Sequence, residues 1–211
     1  ATGCATRPEV ETACDPVLCP SGDLTFTTQQ QIDDFPANYP GCTVMPYSIV
    51  ISGVGITNLN GLSQLTSLGG YLSINGNNSL PNLSGLESIN TIGSNLFISS
   101  NHLLTNLSGL TALTSINGNI GIYTNNSLTS LEGLDALANI GGNVQISTNI
   151  ALLNLSGLDA VTSISHGLTI SNNASLTSLS GLDALTSVSL DLEIIDNNAL
   201  LSLSGLGALA Y

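Results

Sequence analysis

From Ile56 onward the apolar positions of the chain recur every 24 residues, with nothing inserted or deleted: Ile56, Leu80, Leu104, Leu128, Leu152, Leu176 and Leu200 form one column. A glycine column (Gly61, Gly85, Gly109, Gly133, Gly157, Gly181, Gly205) and an isoleucine column (Ile74, Ile98, Ile122, Ile146, Ile170, Ile194) keep the same register. An asparagine column (Asn77, Asn101, Asn125, Asn149, Asn173, Asn197) closes each row. Two spacings coexist within a row. Leu168 and Ile170 alternate with Thr169 and Ser171, the period of two that predicts a strand with one buried face. Earlier in the row Leu176, Leu179, Leu182, Leu185 and Val188 come every third residue. A helix needs a period of about 3.6 and a longer uninterrupted stretch, so strict threes predict tight turns that face inward at each corner of a flattened coil.

Each row then becomes one rung of an all-β fold, a parallel β-solenoid. Six full coils are expected over residues 56–199, with a seventh begun, and a short strand near residues 71–75 recurs in each. The glycine column suits a corner that needs either a positive backbone dihedral or close approach of neighbouring coils. Asparagines stacked at a corner can bond their amides to turn backbone and to the next asparagine. No coil buries enough surface to stand alone, so the rungs must stabilise one another.

Residues 15–55 leave the register and predict a cap. Leu24 to Phe26 reads as a strand, and Thr27 or Thr28 would cap a helix over Gln29 to Phe35 before the break at Pro36. Ser48 to Ser52 reads as a first, irregular strand. The helix would cover the apolar top of the first coil, and a Cys19 to Cys42 bridge would lock it there. The other end has no such device, since the sequence stops at Tyr211 in mid-coil. The expectation there is that more protein follows, or that rods stack end to end.

Composition narrows the function classes. One basic residue, Arg7, against 14 acids gives a net charge of −13, which disfavours nucleic acid and anionic membranes because phosphate binding needs clustered Lys and Arg. No apolar run approaches the ~20 residues needed to span a bilayer. Cys4, Cys14, Cys19 and Cys42 all lie near the N-terminus. Their spacing does not make paired C-x2-C knuckles. Two disulfides in an oxidising compartment are expected, free thiols or zinc being the alternatives.

The row L-x-x-L-x-G-L-x-x-L-x-x-I-G-G-x-L-x-I-x-x-N, preceded by "CPSGDLTFTTQQQIDDFPANYPGCT", resembles the receptor L-domain type of leucine-rich repeat, in versions found in secreted and surface proteins of Bacteroidota-type bacteria. The likeness covers residues 19–211. It implies a right-handed β-helix of 24-residue leucine-rich coils with a helix-and-disulfide cap, serving adhesion, ligand binding or surface architecture. It also implies that residues 1–14 are the tail of a preceding module or a linker, with Cys4 paired to Cys14. Residues 15–55 then form the cap and 56–211 the solenoid. The chain departs from the pattern where Ser165-His166 and Ser189-Leu190 replace the Gly-Gly corner, and in lacking a closing C-terminal cap.

Candidate chemistry is sparse. His102 and His166 fall at different corners, and no G-x-S-x-G elbow activates a serine; a non-enzymatic extracellular or cell-surface module is expected. Asp135, Asp159 and Asp183 share one column, where stacked carboxylates would repel and calcium would relieve them. The alternative is three solvated acids. Asp191, Glu193 and Asp196 form a second acidic cluster with the same two readings. Phe97, Tyr123 and Gln145 stand on the outward strand face among Ser73, Ser99, Ser147, Thr169 and Ser171, a surface on which a glycan or a surface protein would dock. Thr66, Thr114, Thr162 and Thr186 with Ser67, Ser115, Ser163 and Ser187 raise ice binding, although Asn90, Ala138 and Asn139 interrupt the array. The sequons at Asn82, Asn106 and Asn154 follow from the repeat itself. Adhesion or structural display, in a filament or tandem array with copies stacked end to end, is the leading expectation, and a discrete glycan- or protein-binding module the alternative.

Overall fold

The structure, a computed structural model, describes residues 19–210. Eight parallel strands stack into one sheet: Leu24–Phe26, Ile49–Ile51, Leu72–Asn75, Leu96–Ser99, Ile120–Tyr123, Val144–Ser147, Leu168–Ser171 and Leu192–Ile195. The register advances 25 residues from Leu24 to Ile49, 23 from Ile49 to Leu72, and 24 at every later step. The chain is thus a parallel β-solenoid of about seven coils. The coil that opens at Ile49 is one residue short, which is why it escapes a strict 24-residue frame beginning at Ile56.

A second ladder runs along another side. Two-residue strands Val44–Met45, Ser67–Leu68, Thr91–Ile92, Ser115–Ile116 and Asn139–Ile140 form a five-stranded sheet, and Ser163–Ile164 pairs separately with Ser187–Val188. The spacing of threes hides them, because a strand of two residues shows no alternation.

The threes themselves fold as expected. Leu182 N–H donates to the Leu179 carbonyl at 3.1 Å and Leu185 N–H to Leu182 at 2.9 Å, successive three-residue turns that bring every third side chain inward. Leu176, Leu179, Leu182 and Leu185 are fully buried, as are their counterparts in the preceding coils. Glycine is required at the corner: a Cβ on Gly109 would overlap the Leu83 carbonyl of the coil before it, and one on Gly133 the Leu107 carbonyl. After each of the last six strands one residue enters the left-handed region: Gly76 at φ 66°, then Ser100, Thr124, Thr148, Asn172 and Asp196 at φ 54 to 59°. At the five non-glycine positions such strain costs roughly 1–2 kcal/mol per residue, and it turns the chain into the asparagine of the column that follows.

The N-terminal elements close the first coil. Helix α1 (Gln29–Asp33) starts at Thr28, whose hydroxyl accepts the Gln31 N–H while the Gln31 side chain accepts the Thr28 N–H at 3.1 Å, a reciprocal capping box. The helix ends at Asp34, and α2 (Phe35–Asn38) begins with Pro36 in its first turn. Pro36 therefore opens a second helical turn instead of ending the first, because at a helix N-terminus its missing N–H sacrifices no bond. Ile32 and Phe35 are buried, and Phe35 meets Phe26 edge-on at 6.0 Å. The Gln29 amide binds both Thr57 N–H, at 2.9 Å, and the Asn58 carbonyl, at 3.2 Å. A Cβ on Gly61 would overlap the Ile32 carbonyl, so α1 occupies the place that a preceding coil occupies elsewhere. Cys19 and Cys42 are bridged beside these helices. The expected Cys4 to Cys14 pairing lies outside the described residues.

Candidate functional site

Four polar features recur along the coils. The first is the buried asparagine column. Asn101 Nδ2 donates to the Ile74 carbonyl at 2.9 Å and to Asn125 Oδ1 at 3.2 Å, while Asn101 Oδ1 accepts the N–H and the Nδ2 of Asn77. All four hydrogen-bonding positions of the amide are filled inside the protein, and Asn77, Asn101, Asn125, Asn149 and Asn173 are inaccessible to solvent.

The second is the acid column, where the structure assigns a different role from cation binding. Asp135, Asp159 and Asp183 each accept the N–H of the glycine two residues before, Gly133, Gly157 and Gly181, at 2.8, 2.8 and 3.1 Å. Glu87 does the same for Gly85 at 2.8 Å. These four glycines are the ones at the corner that adopt positive φ, from 104 to 113°. The peptide before each is turned so that its carbonyl reaches the previous coil: Leu107 N–H donates to Glu132 at 2.8 Å, Leu131 N–H to Ser156 at 2.9 Å and Leu155 N–H to Ser180 at 2.9 Å. Where the acid is replaced by Ser63, Thr111 or Gly207, the corner is a 3-10 turn, Asn60–Leu62, Ser108–Leu110 or Ser204–Leu206. Each carboxylate thus serves its own glycine, and among the described residues no three His, Cys, Asp or Glu side chains gather to hold a metal ion. Calcium takes six to eight oxygens, a donor set that these separately engaged acids do not fit. Asp191, Glu193 and Asp196 are exposed on and around the last strand; Glu193 accepts from Thr169 at 3.4 Å, and Asp196 occupies the left-handed position.

The third feature is a second asparagine ladder at the other end of the strands, which the sequence pattern does not announce. Asn95 Oδ1 accepts Asn119 N–H at 2.7 Å, Asn119 Oδ1 accepts Asn143 N–H at 2.7 Å, and Asn143 Oδ1 accepts Gly167 N–H at 2.9 Å.

The fourth is the outward strand face. Phe97 and Tyr123 sit on neighbouring strands but are not partners: Phe97 pairs with Gly121, and Tyr123 with Ser99. Gly121 pairs on its other side with Gln145, so Phe97, Gly121 and Gln145 form one row. The Tyr123 ring folds back along its own strand and lies over Gly121, where an added Cβ would overlap it. Both aromatic side chains are half-buried, and burial pushes the Tyr123 phenol above its ordinary pKa. Together with Asn119, Ile120, Asn143 and Thr169 they line a shallow depression of about 330 Å³. The sequence signal for it was Gly121 itself, a glycine in a strand interior.

The remaining candidates are dispersed. His102 follows the Leu96–Ser99 strand and His166 precedes the Leu168–Ser171 strand. The hydroxyls of Thr66, Thr114 and Thr186 donate to carbonyls of the preceding coil at 2.8 to 3.1 Å, so they fasten rungs together and do not present a free donor array to water. Asn82, Asn106 and Asn154 accept the N–H two residues on, fixing local turns. Against the last strand lies a hollow of about 750 Å³ lined in part by Leu192, Ile194, Leu200, Leu203 and Leu206, beside Leu201, which is 84% exposed. No helix among the described residues is long and apolar enough to cross a membrane. No protein-family model, curated protein or solved structure matches this chain.

Proposed function

We propose that this chain is a non-enzymatic module of an extracellular surface, a leucine-rich solenoid of the receptor L-domain kind that serves adhesion or structural display. The observation that carries this is where the polar groups go. The buried asparagines, the acid column and the threonine hydroxyls are engaged in holding backbone or joining one coil to the next. What they build is a repetitive rod, about 34 Å along the stack of eight strands at about 4.8 Å per rung, that presents a sheet face outward. The Cys19–Cys42 disulfide supports an oxidising, extracellular setting. In the filament or tandem form of the proposal, a further rung or a second copy seats on the hollow beside Leu200 and Leu203, which Asp196, Asn197 and Asn198 also line.

Labelling of cells of the source organism with an antibody to this chain tests the location. Intact cells should stain as strongly as permeabilised ones, and staining that appears only after permeabilisation overturns the proposal.

A further inference from the structure

Gly121 is the one glycine in the outward row Thr25, Val50, Ser73, Phe97, Gly121, Gln145, Thr169, Glu193. In a strand interior glycine is roughly 0.5–1 kcal/mol worse than alanine, so its presence needs a reason. The corner glycines have one, since main-chain carbonyls of the preceding coil crowd them. Nothing of that kind crowds Gly121: the three atoms nearest an added Cβ all belong to the Tyr123 side chain. The glycine therefore makes room on the sheet surface, and what it accommodates in the free protein is an aromatic ring.

The depression that the ring walls on one side has an uncharged lining on a molecule of net charge −13. It combines the Phe97 and Tyr123 rings with three primary amides, Asn119, Asn143 and Gln145, and the Thr169 hydroxyl. Two of the amides are held before any ligand arrives, because Asn119 Oδ1 and Asn143 Oδ1 each accept a backbone N–H of the next coil. Fixed polar groups lose little freedom on binding, which favours affinity. Aromatic rings stack on apolar C–H faces, and amides offer donor and acceptor in one plane. A neutral sugar ring presents this combination, an apolar face bounded by hydroxyls. The volume, about 330 Å³, is at the lower end of the ~300–1,000 Å³ usual for small-molecule sites, and so suits a small saccharide unit.

We infer that the depression between Phe97, Tyr123 and Gln145, beside the ring that Gly121 seats, is a subsite for an uncharged saccharide unit. This gives the adhesive face a ligand class and rests on the proposed function for its biological setting alone, since binding is read on the purified chain whatever the outcome of cell labelling.

The test is a glycan array carrying neutral hexose, N-acetylhexosamine and fucose oligosaccharides, with sialylated and sulfated ones as an acidic arm. The full chain should bind a subset of the neutral glycans and none of the acidic ones. Gly121→Val should reduce that binding at least tenfold: valine favours the strand while its side chain displaces the Tyr123 ring from its place in the lining. Gln145→Ala, at an exposed position, should weaken binding several-fold with an unchanged melting temperature. A silent array, binding confined to acidic glycans, or neutral-glycan binding that survives both substitutions in folded protein overturns the inference. A partner captured on this face that is a protein with no glycan overturns it as well.

Discussion

The two asparagine ladders use one chemistry at opposite ends of the same strands, with opposite direction and different weight. In the inner ladder Oδ1 accepts from the coil before, as Asn125 does from Asn101 N–H at 3.1 Å. In the outer ladder Oδ1 accepts from the coil after, as Asn119 does from Asn143 N–H at 2.7 Å. The shorter distance belongs to the outer bond, yet the inner ladder is the one the fold depends on. Each inner amide satisfies backbone of the coil before and the asparagine side chain of the coil after, with no water available to replace it, as Asn125 does for the Ile98 carbonyl, the Asn101 N–H and Asn149 Oδ1, whereas the outer groups can turn to solvent. Burial and the number of bonds lost together, more than the length of any one bond, set what an asparagine contributes here.

The largest expected effect follows from breaking the inner ladder at its middle. Asn125→Ala leaves the buried Asn101 N–H without its partner and takes one bond each from Asn101 Nδ2, the Ile98 carbonyl and Asn149 Oδ1, the two side chains keeping their bonds to the Ile74 carbonyl and to the backbone N–H of residue 125. At about 1–3 kcal/mol for the orphaned N–H and about 1 kcal/mol for each of the other bonds lost, partly relieved by relaxation, the loss should be roughly 3–5 kcal/mol. Denaturant unfolding measures it, and a loss below about 1 kcal/mol would end the distinction between the ladders. The matched substitution in the outer ladder, Asn119→Ala, frees the Asn143 N–H to bind water and should cost about 1 kcal/mol or less. The comparison is sharpened if both variants are measured under one condition and the ratio is threefold or more.

The same contrast marks how far the sequence could be read. The inner column is unbroken from Asn77 to Asn197 and stands out at once, because every coil needs it. The outer one reads Tyr71, Asn95, Asn119, Asn143, Gly167, Asp191, too short and interrupted to register as a column. The 24-residue frame, the inward leucines, the capping helix and the Cys19–Cys42 bridge were all legible, since each leaves a residue type at a fixed offset. The two-residue strands were not, because alternation cannot show in two positions. Nor was the placement of the Tyr123 ring over Gly121, which depends on one rotamer. The acid column was visible as a column but not as a device: carboxylate repulsion suggested a cation, while the nearer partner was the glycine N–H two residues away.

That device separates the coils into two kinds and supplies the smallest predicted effect in free energy, though a definite one in geometry. With an acid two residues after the corner glycine, the preceding peptide turns its carbonyl to the previous coil and the glycine takes positive φ, as at Gly133. Without it, the corner closes as the 3-10 turn seen at Ser108–Leu110. Thr111→Asp should convert that corner, moving Gly109 to positive φ and giving the Leu83 N–H a partner in the Ser108 carbonyl. Asp159→Ala should convert in the other direction, drawing Ser156 to Leu158 into a 3-10 turn and releasing the Leu131 N–H. Each swap exchanges one part-buried hydrogen-bond pattern for another already present in neighbouring coils and should shift stability by about 1 kcal/mol or less. Crystal structures of the two variants decide the matter. If both corners keep their present φ, the acid follows the turn and does not cause it, and the column returns to being a row of solvated charges.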